Sequence, residues 1–175
     1  MSDTDPRDTR DIPDRSRTVT WDDPLIGLRA ARHMTGRQYL EAIRDGTVAP
    51  PPIAQLLGFQ LDGVEEGRAV FIAEPAEYHY NPIGVVHGGL AATLLDSAMG
   101  CAVASRLPQG VVYTTLEIKV NYVRPLTIVT GPIRCEGVVI HLGGTVATAE
   151  GRITDAAGKL YAHATTTCLL TLHTD

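Results

Sequence analysis

Residues 87–105 have the sequence HGGLAATLLDSAMGCAVAS, which is the strongest structural signal in the chain. The stretch is rich in alanine and leucine, contains no proline and is longer than an ordinary strand. It therefore predicts one α-helix from Gly88 to about Ser105. Because the residues are apolar on almost every side, we expect other elements to wrap around this helix.

The segments on both sides of the helix are typical of strands. Six runs rich in β-branched residues and separated by turn residues cover 58–64, 68–74, 112–123, 132–141, 145–154 and 159–172. In the third run strict alternation predicts one apolar face, formed by Val112, Thr114, Leu116, Ile118, Val120 and Tyr122. The pattern predicts an α+β domain with a long central helix wrapped by a sheet.

The N-terminal part of the chain differs from the rest. Residues 1–33 mix Asp and Arg with scattered prolines and few apolar residues, so we expect a disordered tail. Residues 34–52 predict a short helix and a proline-rich linker, because Thr35 and Gln38 form a capping-box pattern. The folded domain is then expected to cover residues 53–173.

Composition limits the possible partners and location. The chain has 175 residues, 44% of them hydrophobic, which suits one domain with a substantial core. Its formal net charge of -5 argues against nucleic acid or an anionic membrane surface as the main partner. Cys101, Cys135 and Cys168 lie far apart, so we expect reduced thiols and no metal site. The absence of a long apolar run favours a cytoplasmic protein.

Asp96 is the only Asp, Glu, Lys or Arg between Tyr78 and Ser105. A carboxylate in the middle of an apolar helix is costly unless it is paired or hydrogen-bonded. One interpretation is a buried aspartate that caps a neighbouring loop. The other is a catalytic carboxylate that takes a proton from water.

The start of the helix favours the catalytic interpretation. The two glycines of His87-Gly88-Gly89 expose backbone N–H groups at the positive end of the helix, which suits a developing oxyanion. Gly88 and Asp96 are eight residues apart, or about 12 Å along the helix. One chain cannot bring both groups to one carbonyl, so this hypothesis predicts a homodimer with two sites at its interface.

The stretch from Asn81 to Asp96, NPIGVVHGGLAATLLD, resembles the signature of hotdog-fold acyl-CoA thioesterases of the phenylacetate-degradation (PaaI-like) branch. The resemblance extends over residues 53–172. It implies a hotdog fold, in which a curved antiparallel sheet wraps the helix, and dimers that often pair into tetramers. It also implies hydrolysis of an acyl-CoA thioester to free acid and CoA without a cofactor, CoA being part of the substrate.

The resemblance also implies roles for individual residues. Asp96 matches the catalytic carboxylate, acting as general base or as nucleophile, and Gly88 matches the backbone donor to the thioester oxygen. Asn81 and His87 match the loop residues that orient the thioester and the loop itself. Thr115 matches a hydroxyl residue that holds the water, with Thr114 as the competing choice.

Further residues are predicted to contact the substrate: Gly89, His79, Thr93, Arg124, Gly143 and Gly144. A structural role is the alternative for His79. Relatives often carry basic residues in the turn at 141–145, and this chain has none there. Phosphate groups of CoA would instead meet the glycine turn or one of the side chains of Arg124, Arg134, Arg152 and His141.

Two other functions are compatible with the same fold. An enoyl-CoA hydratase or dehydratase would use a histidine near the substrate carbon as acid and base. A non-catalytic acyl-CoA-binding protein would not need the carboxylate. The combination of His87-Gly88-Gly89 with Asp96 favours the thioesterase.

Overall fold

The computed structural model describes residues 15–172. Three helices precede the sheet, a long fourth helix follows the first hairpin, and four strands complete the domain. The elements are α1 (Pro24–Ala31), α2 (Gly36–Arg44), α3 (Pro52–Leu57), β1 (Phe59–Glu65), β2 (Arg68–Ala73), α4 (Gly88–Ala104), β3 (Val111–Tyr122), β4 (Ile133–Leu142), β5 (Val146–Asp155) and β6 (Leu160–Leu172). The predicted long helix and six strands are confirmed within two residues at each end.

The six strands form one sheet in the order β1-β2-β4-β5-β6-β3, and every neighbouring pair is antiparallel. Helix α4 packs on one face of this sheet and contacts all six strands. Its side chains Leu94, Leu95, Ala98 and Met99 are fully buried there. The α+β class and the hotdog architecture, a helix wrapped by an antiparallel sheet, are therefore confirmed.

Small residues allow α4 to lie close to the sheet. Gly137 of β4 and Gly151 of β5 are directly paired beneath the helix. A Cβ atom on Gly137 would lie 2.3 Å from the carbonyl oxygen of Ala98, which is a backbone atom of α4. On Gly151 it would lie 3.0 Å from the Met99 side chain. The separation between helix and sheet is thus set by two residues without side chains.

We predict that Gly137→Ala destabilises the domain by about 1–3 kcal/mol or more, because the added methyl group overlaps backbone that has no room to move. Gly63→Ala in β1 is the matched control, since its Cβ would meet Val70 at an ordinary 3.8 Å. Urea unfolding of both variants measures the difference. Equal midpoints for the two variants would contradict this account of the packing.

A bulge in β3 changes the predicted alternation. Thr115 pairs with Cys168 and Glu117 with Thr167, so Leu116 is an extra residue in the ladder. The predicted apolar face is therefore wrong before the bulge: Val112, Thr114 and Leu116 are exposed, whereas Val111, Tyr113 and Thr115 face inward. After the bulge Ile118 and Val120 pack against the core as predicted, whereas the prediction is wrong for Tyr122, which is 58% exposed.

The N-terminal segment has more structure than predicted. The disorder expected for residues 1–33 is wrong for Pro24–Ala31, which form α1 with Asp23 as N-cap. Residues 1–14 of that prediction lie outside the described residues. The capping box of Thr35 and Gln38 is confirmed at the start of α2, which ends at Arg44 as expected.

Helix α3 was not predicted, because its six residues begin at Pro52, the last proline of the segment taken as a linker. Its last carbonyl groups are satisfied from outside the helix. Arg17 donates to the carbonyl oxygens of Leu56 (2.9 Å) and Gln55 (2.8 Å), and its guanidinium lies 4.2 Å from the centre of the Tyr78 ring. These contacts fix residues near Arg17 against the body of the domain.

Within residues 15–172, no helix has the length and apolar character needed to cross a membrane.

Candidate active site

Asp96 lies half-buried on α4, and its side chain has one hydrogen-bond partner among residues 15–172. Thr115 Oγ1 donates to Asp96 Oδ1 at 2.9 Å. Asp96 does not cap a loop, so the purely structural interpretation of this carboxylate lacks support. Thr114 lies on the outer face of β3, and the bulge at Leu116 lies next to the hydroxyl that reaches Asp96.

A cavity of about 1010 Å³ opens beside Asp96. Helices α2 and α3, the hairpin β1–β2, α4 and β3 all contribute to its walls. The apolar part of the lining includes Leu40, Ala54, Phe59, Leu61, Phe71 and Tyr113. Arg17, Arg44, Asp62 and Glu74 also line it. The carboxylate therefore borders a space large enough for a sizeable apolar group.

The start of α4 has an amide group that the described residues leave free. His87 is the N-cap, and its Nδ1 accepts a hydrogen bond from the Gly89 N–H at 2.8 Å. The Gly88 N–H has no acceptor within residues 15–172. Because it lies at the positive end of a 17-residue helix, this amide can bind a negatively charged oxygen.

Tyr122, which the sequence analysis placed only on the apolar face of a strand, covers this helix start. Its hydroxyl donates to the carbonyl oxygen of Gly88 at 3.2 Å, and a Cβ on Gly88 would lie 3.1 Å from its ring. A second cavity of about 280 Å³ is lined by His87, Gly88, Tyr122 and Arg124 among others. No sequence signal marked Tyr122, because its contact depends on how α4 crosses β3.

The predicted catalytic groups fall into two separate places. Gly88 and Asp96 are about 12 Å apart along α4, and their cavities share no lining residue. Strand β3 contacts both places, with Thr115 at Asp96 and Tyr122 at Gly88. Within one chain the two groups are therefore too far apart to act on the same carbonyl group.

Asn81 shapes the loop that leads to the helix. Its Oδ1 accepts from the backbone N–H groups of Ile83 (3.1 Å) and Val85 (3.4 Å), and its own N–H donates to the Val85 carbonyl at 2.8 Å. The His87 N–H in turn donates to the carbonyl oxygen of His79 at 2.8 Å. These bonds place His87 and Gly88, which fits the predicted loop-orienting role of Asn81.

His79 is buried, and both of its ring nitrogens have protein partners. Nδ1 accepts from the Ala76 N–H at 3.0 Å, so Nε2 carries the proton and donates to the Leu57 carbonyl at 2.9 Å. Burial lowers the pKa of His79 below its ordinary value of 6.5, and the Arg17 charge acts in the same direction against the Leu57 hydrogen bond. The alternative structural role is the one these contacts support.

The pKa of His79 predicts an acid-dependent loss of stability. A histidine whose pKa is lowered by folding binds more protons when unfolded, so stability falls as the pH drops below about 6.5 toward the folded-state pKa. We expect the free energy of unfolding to decrease between about pH 7.5 and about pH 5, and less so in His79→Gln. His141→Gln, at an exposed position, is the control and should keep the wild-type slope. Identical slopes in all three proteins would refute the assignment.

Of the other residues predicted to contact the substrate, one lines a cavity and the rest do not. Thr93 Oγ1 donates to the Gly89 carbonyl at 2.9 Å, so it is bonded within its own helix. Arg124 donates to the Leu160 carbonyl and lines the cavity at Gly88. Gly143 and Gly144 form the turn between β4 and β5, away from both cavities.

Comparisons with known proteins agree with this architecture. The family model described as the thioesterase superfamily matches residues 83–162. A protein of Saccharolobus solfataricus that is provisionally named an esterase is 32% identical over 125 residues, which are 71% of this chain and 87% of that protein. The 1,4-dihydroxy-2-naphthoyl-CoA hydrolase of Listeria monocytogenes is 28% identical over 108 residues, covering 62% of this chain and 86% of the hydrolase.

Solved structures give the same result. A mutant form of the phenylacetic acid degradation protein PaaI of Thermus thermophilus superposes with a TM-score of 0.62 at 29% identity, covering 68% of this chain and 98% of that one. A phenylacetic acid degradation-related protein of Ralstonia eutropha gives a TM-score of 0.68 at 27% identity, covering 75% and 98%. The chain belongs to the thioesterase superfamily. It is a hotdog-fold hydrolase of thioesters.

Proposed function

We propose that this protein hydrolyses acyl-CoA thioesters to the free acid and CoA. The observation that carries the proposal is the hydrogen-bonded pair of Asp96 and Thr115 at the wall of a large cavity lined by both apolar and polar side chains. A half-buried carboxylate with a single protein partner is costly to keep on an apolar helix. A role in chemistry accounts for this cost better than a role in packing.

In the proposed reaction, Thr115 fixes one carboxylate oxygen of Asp96 and leaves Oδ2 facing the reacting group. Water attacks the thioester carbon while its proton passes to Asp96, or Asp96 attacks the carbon itself. The carbonyl oxygen becomes an oxyanion and accepts a hydrogen bond from the Gly88 N–H. The C–S bond then breaks, and the thiolate of CoA leaves; in the general-base route it takes the proton from Asp96. In the nucleophilic route the acyl group stays on Asp96 as a mixed anhydride, which water then hydrolyses to the free acid and the Asp96 carboxylate. No cofactor takes part in these steps.

The Gly88 donor comes from a second copy of the chain in this proposal. Strand β3 is an edge of the sheet, pairs only with β6 among the described strands and exposes 58% of Leu116. Two β3 strands pairing antiparallel near Ile118 and Lys119 would set Thr115 opposite Tyr122 of the second copy. Such pairing brings the Asp96 half-site of each copy to the Gly88 half-site of the other, in a homodimer.

Arg124 is the side chain best placed to meet a phosphate group of CoA. It lines the cavity beside Gly88 and forms no ion pair within residues 15–172. Arg134 and Arg152, in contrast, lie near Glu136 (3.3 Å) and Glu150 (3.9 Å). A guanidinium that lines the cavity beside Gly88 and has no acidic partner among the described residues suits a dianionic phosphate.

The two alternative functions have less support. A hydratase needs a histidine nitrogen that can accept a proton, and Nδ1 of His87 already accepts from the Gly89 N–H, so in the neutral ring Nε2 carries the proton and can only donate it. A non-catalytic acyl-CoA-binding protein gives no reason for the cost of Asp96. Membership of the thioesterase superfamily favours hydrolysis over both.

Asp96→Asn is expected to lower the kcat of thiol release from acyl-CoA by at least about 100-fold, because the amide cannot accept the proton. Asp62→Asn makes the same change elsewhere on the lining of the cavity and is the control, expected to retain activity. Thermal unfolding checks that both variants are folded. Undiminished turnover in a folded Asp96→Asn protein would remove the proposed mechanism.

Gly88→Pro isolates the oxyanion donor, since proline removes the N–H yet is tolerated at the first position of a helix. We expect a loss of about 100-fold or more in kcat relative to Gly88→Ala, which adds a Cβ and keeps the N–H.

The same variant tests the composite site. Asp96→Asn and Gly88→Pro chains, co-expressed in equal amounts, form mixed dimers that contain one intact site. Such a mixture should recover about a quarter of the wild-type activity. A mixture as inactive as its two parents would show that the groups act within one chain or not at all.

A further inference from the structure

The cavity beside Asp96 extends in one direction along α4. The residues of α4 that line it are Asp96, Ser97 and Cys101, and no residue of α4 before Asp96 takes part. The thioester carbonyl must lie at Asp96 for the proposed reaction. The acyl group therefore has to extend toward the C-terminal half of the helix, away from the end that begins at Gly88.

Tyr113 lies on the path from Asp96 toward the C-terminal end of α4. It lies on β3 two residues before Thr115, on the same inward face, and it lines the cavity. A Cβ on Gly100 would lie 2.4 Å from the Tyr113 hydroxyl and 2.7 Å from its ring. The ring thus rests on the backbone of α4, four residues or about 6 Å beyond Asp96 along the helix.

Packing, rather than a hydrogen bond, holds the Tyr113 ring. Its hydroxyl has no hydrogen-bond partner within residues 15–172, and burial raises its pKa well above the ordinary value, as do the nearby Cys101 and Asp96. The phenol therefore stays neutral at physiological pH. The Tyr113 side chain therefore affects the cavity through the volume it occupies, not through a charge.

We infer that Tyr113, seated on Gly100, limits the size of the acyl group that the site accepts. The inference rests on the proposed acyl-CoA hydrolysis. The apolar side chains Leu40, Leu61 and Phe71 on the cavity wall suit the hydrocarbon part of an acyl group. The substrate class is an acyl-CoA whose acyl group has a hydrocarbon part that extends about one helical turn past Asp96, as far as Tyr113.

The test measures kcat/KM for straight-chain substrates from acetyl-CoA to palmitoyl-CoA. Tyr113→Ala should move the optimum to longer chains and raise kcat/KM for chains beyond the wild-type optimum by about tenfold or more. Tyr113→Phe keeps the ring and is the matched control, with the wild-type profile expected. Gly100→Ala should move the optimum to shorter chains, because the new methyl group forces the ring into the cavity.

Tyr113→Leu provides a second enlarged site should the alanine variant not fold. An unchanged chain-length profile in the enlarged and Gly100→Ala variants would overturn the inference. So would a changed profile in Tyr113→Phe, since the hydroxyl rather than the ring would then select the substrate. If the wild-type protein released no thiol from any acyl-CoA, the proposed function itself would fail, and that result is distinct from these.

Discussion

The close packing of α4 on the sheet is the constraint on which the rest of the structure depends. Across four neighbouring strands, β2, β4, β5 and β6, the ladder places a row of residues with small or absent side chains beneath the helix: Ala69, Gly137, Gly151 and Ala164. A Cβ on Gly137 would meet backbone atoms of α4, and a Cβ on Gly151 would meet its side chains. Larger residues would lift the helix and separate α4 from β3. The contacts of Thr115 with Asp96 and of Tyr113 with Gly100 both depend on that separation.

The helix therefore has two sides with different tasks. The side toward the sheet is closed and apolar, and its fully buried Leu94, Leu95 and Met99 contribute to the hydrophobic core. The side that carries Asp96 is partly open because the hairpin β1–β2 and helices α2 and α3 stand away from it and leave a cavity. Burying the first side offsets the cost of placing a carboxylate on the second. This division explains how an apolar helix tolerates one charge near its middle.

The sequence was sufficient for the long helix and the six strands, but not for α1, α3 or the contacts between elements. Local chemistry determined the capping box at Thr35 and the helix from Gly88, and both were predicted correctly. The bulge at Leu116 was missed, because the alternation of apolar and polar residues in this run does not show where one extra residue is inserted. Thr115 was still preferred over Thr114, although the face assigned to Thr114 was wrong. The contact of Tyr122 with Gly88 was missed for another reason. It depends on how α4 crosses β3, and this crossing depends on the pairing of Gly137 with Gly151, which are distant from Tyr122 in sequence.

The length of α4 has a consequence for how a complete site can arise. The Gly88 amide needs the helix terminus for its positive potential, and Asp96 needs the interior of the helix for its apolar surroundings. The two environments are about 12 Å apart and cannot merge in one chain. If two copies of the edge strand β3 paired antiparallel about a twofold axis, the Thr115 end of one strand would lie beside the Tyr122 end of the other. Asp96 of each copy would then lie near Gly88 of the second copy. In such an assembly one contact between the two copies would bury the exposed Leu116 on the sheet edge. The same contact would bring the Gly88 amide of one copy to Asp96 of the other and so complete the site.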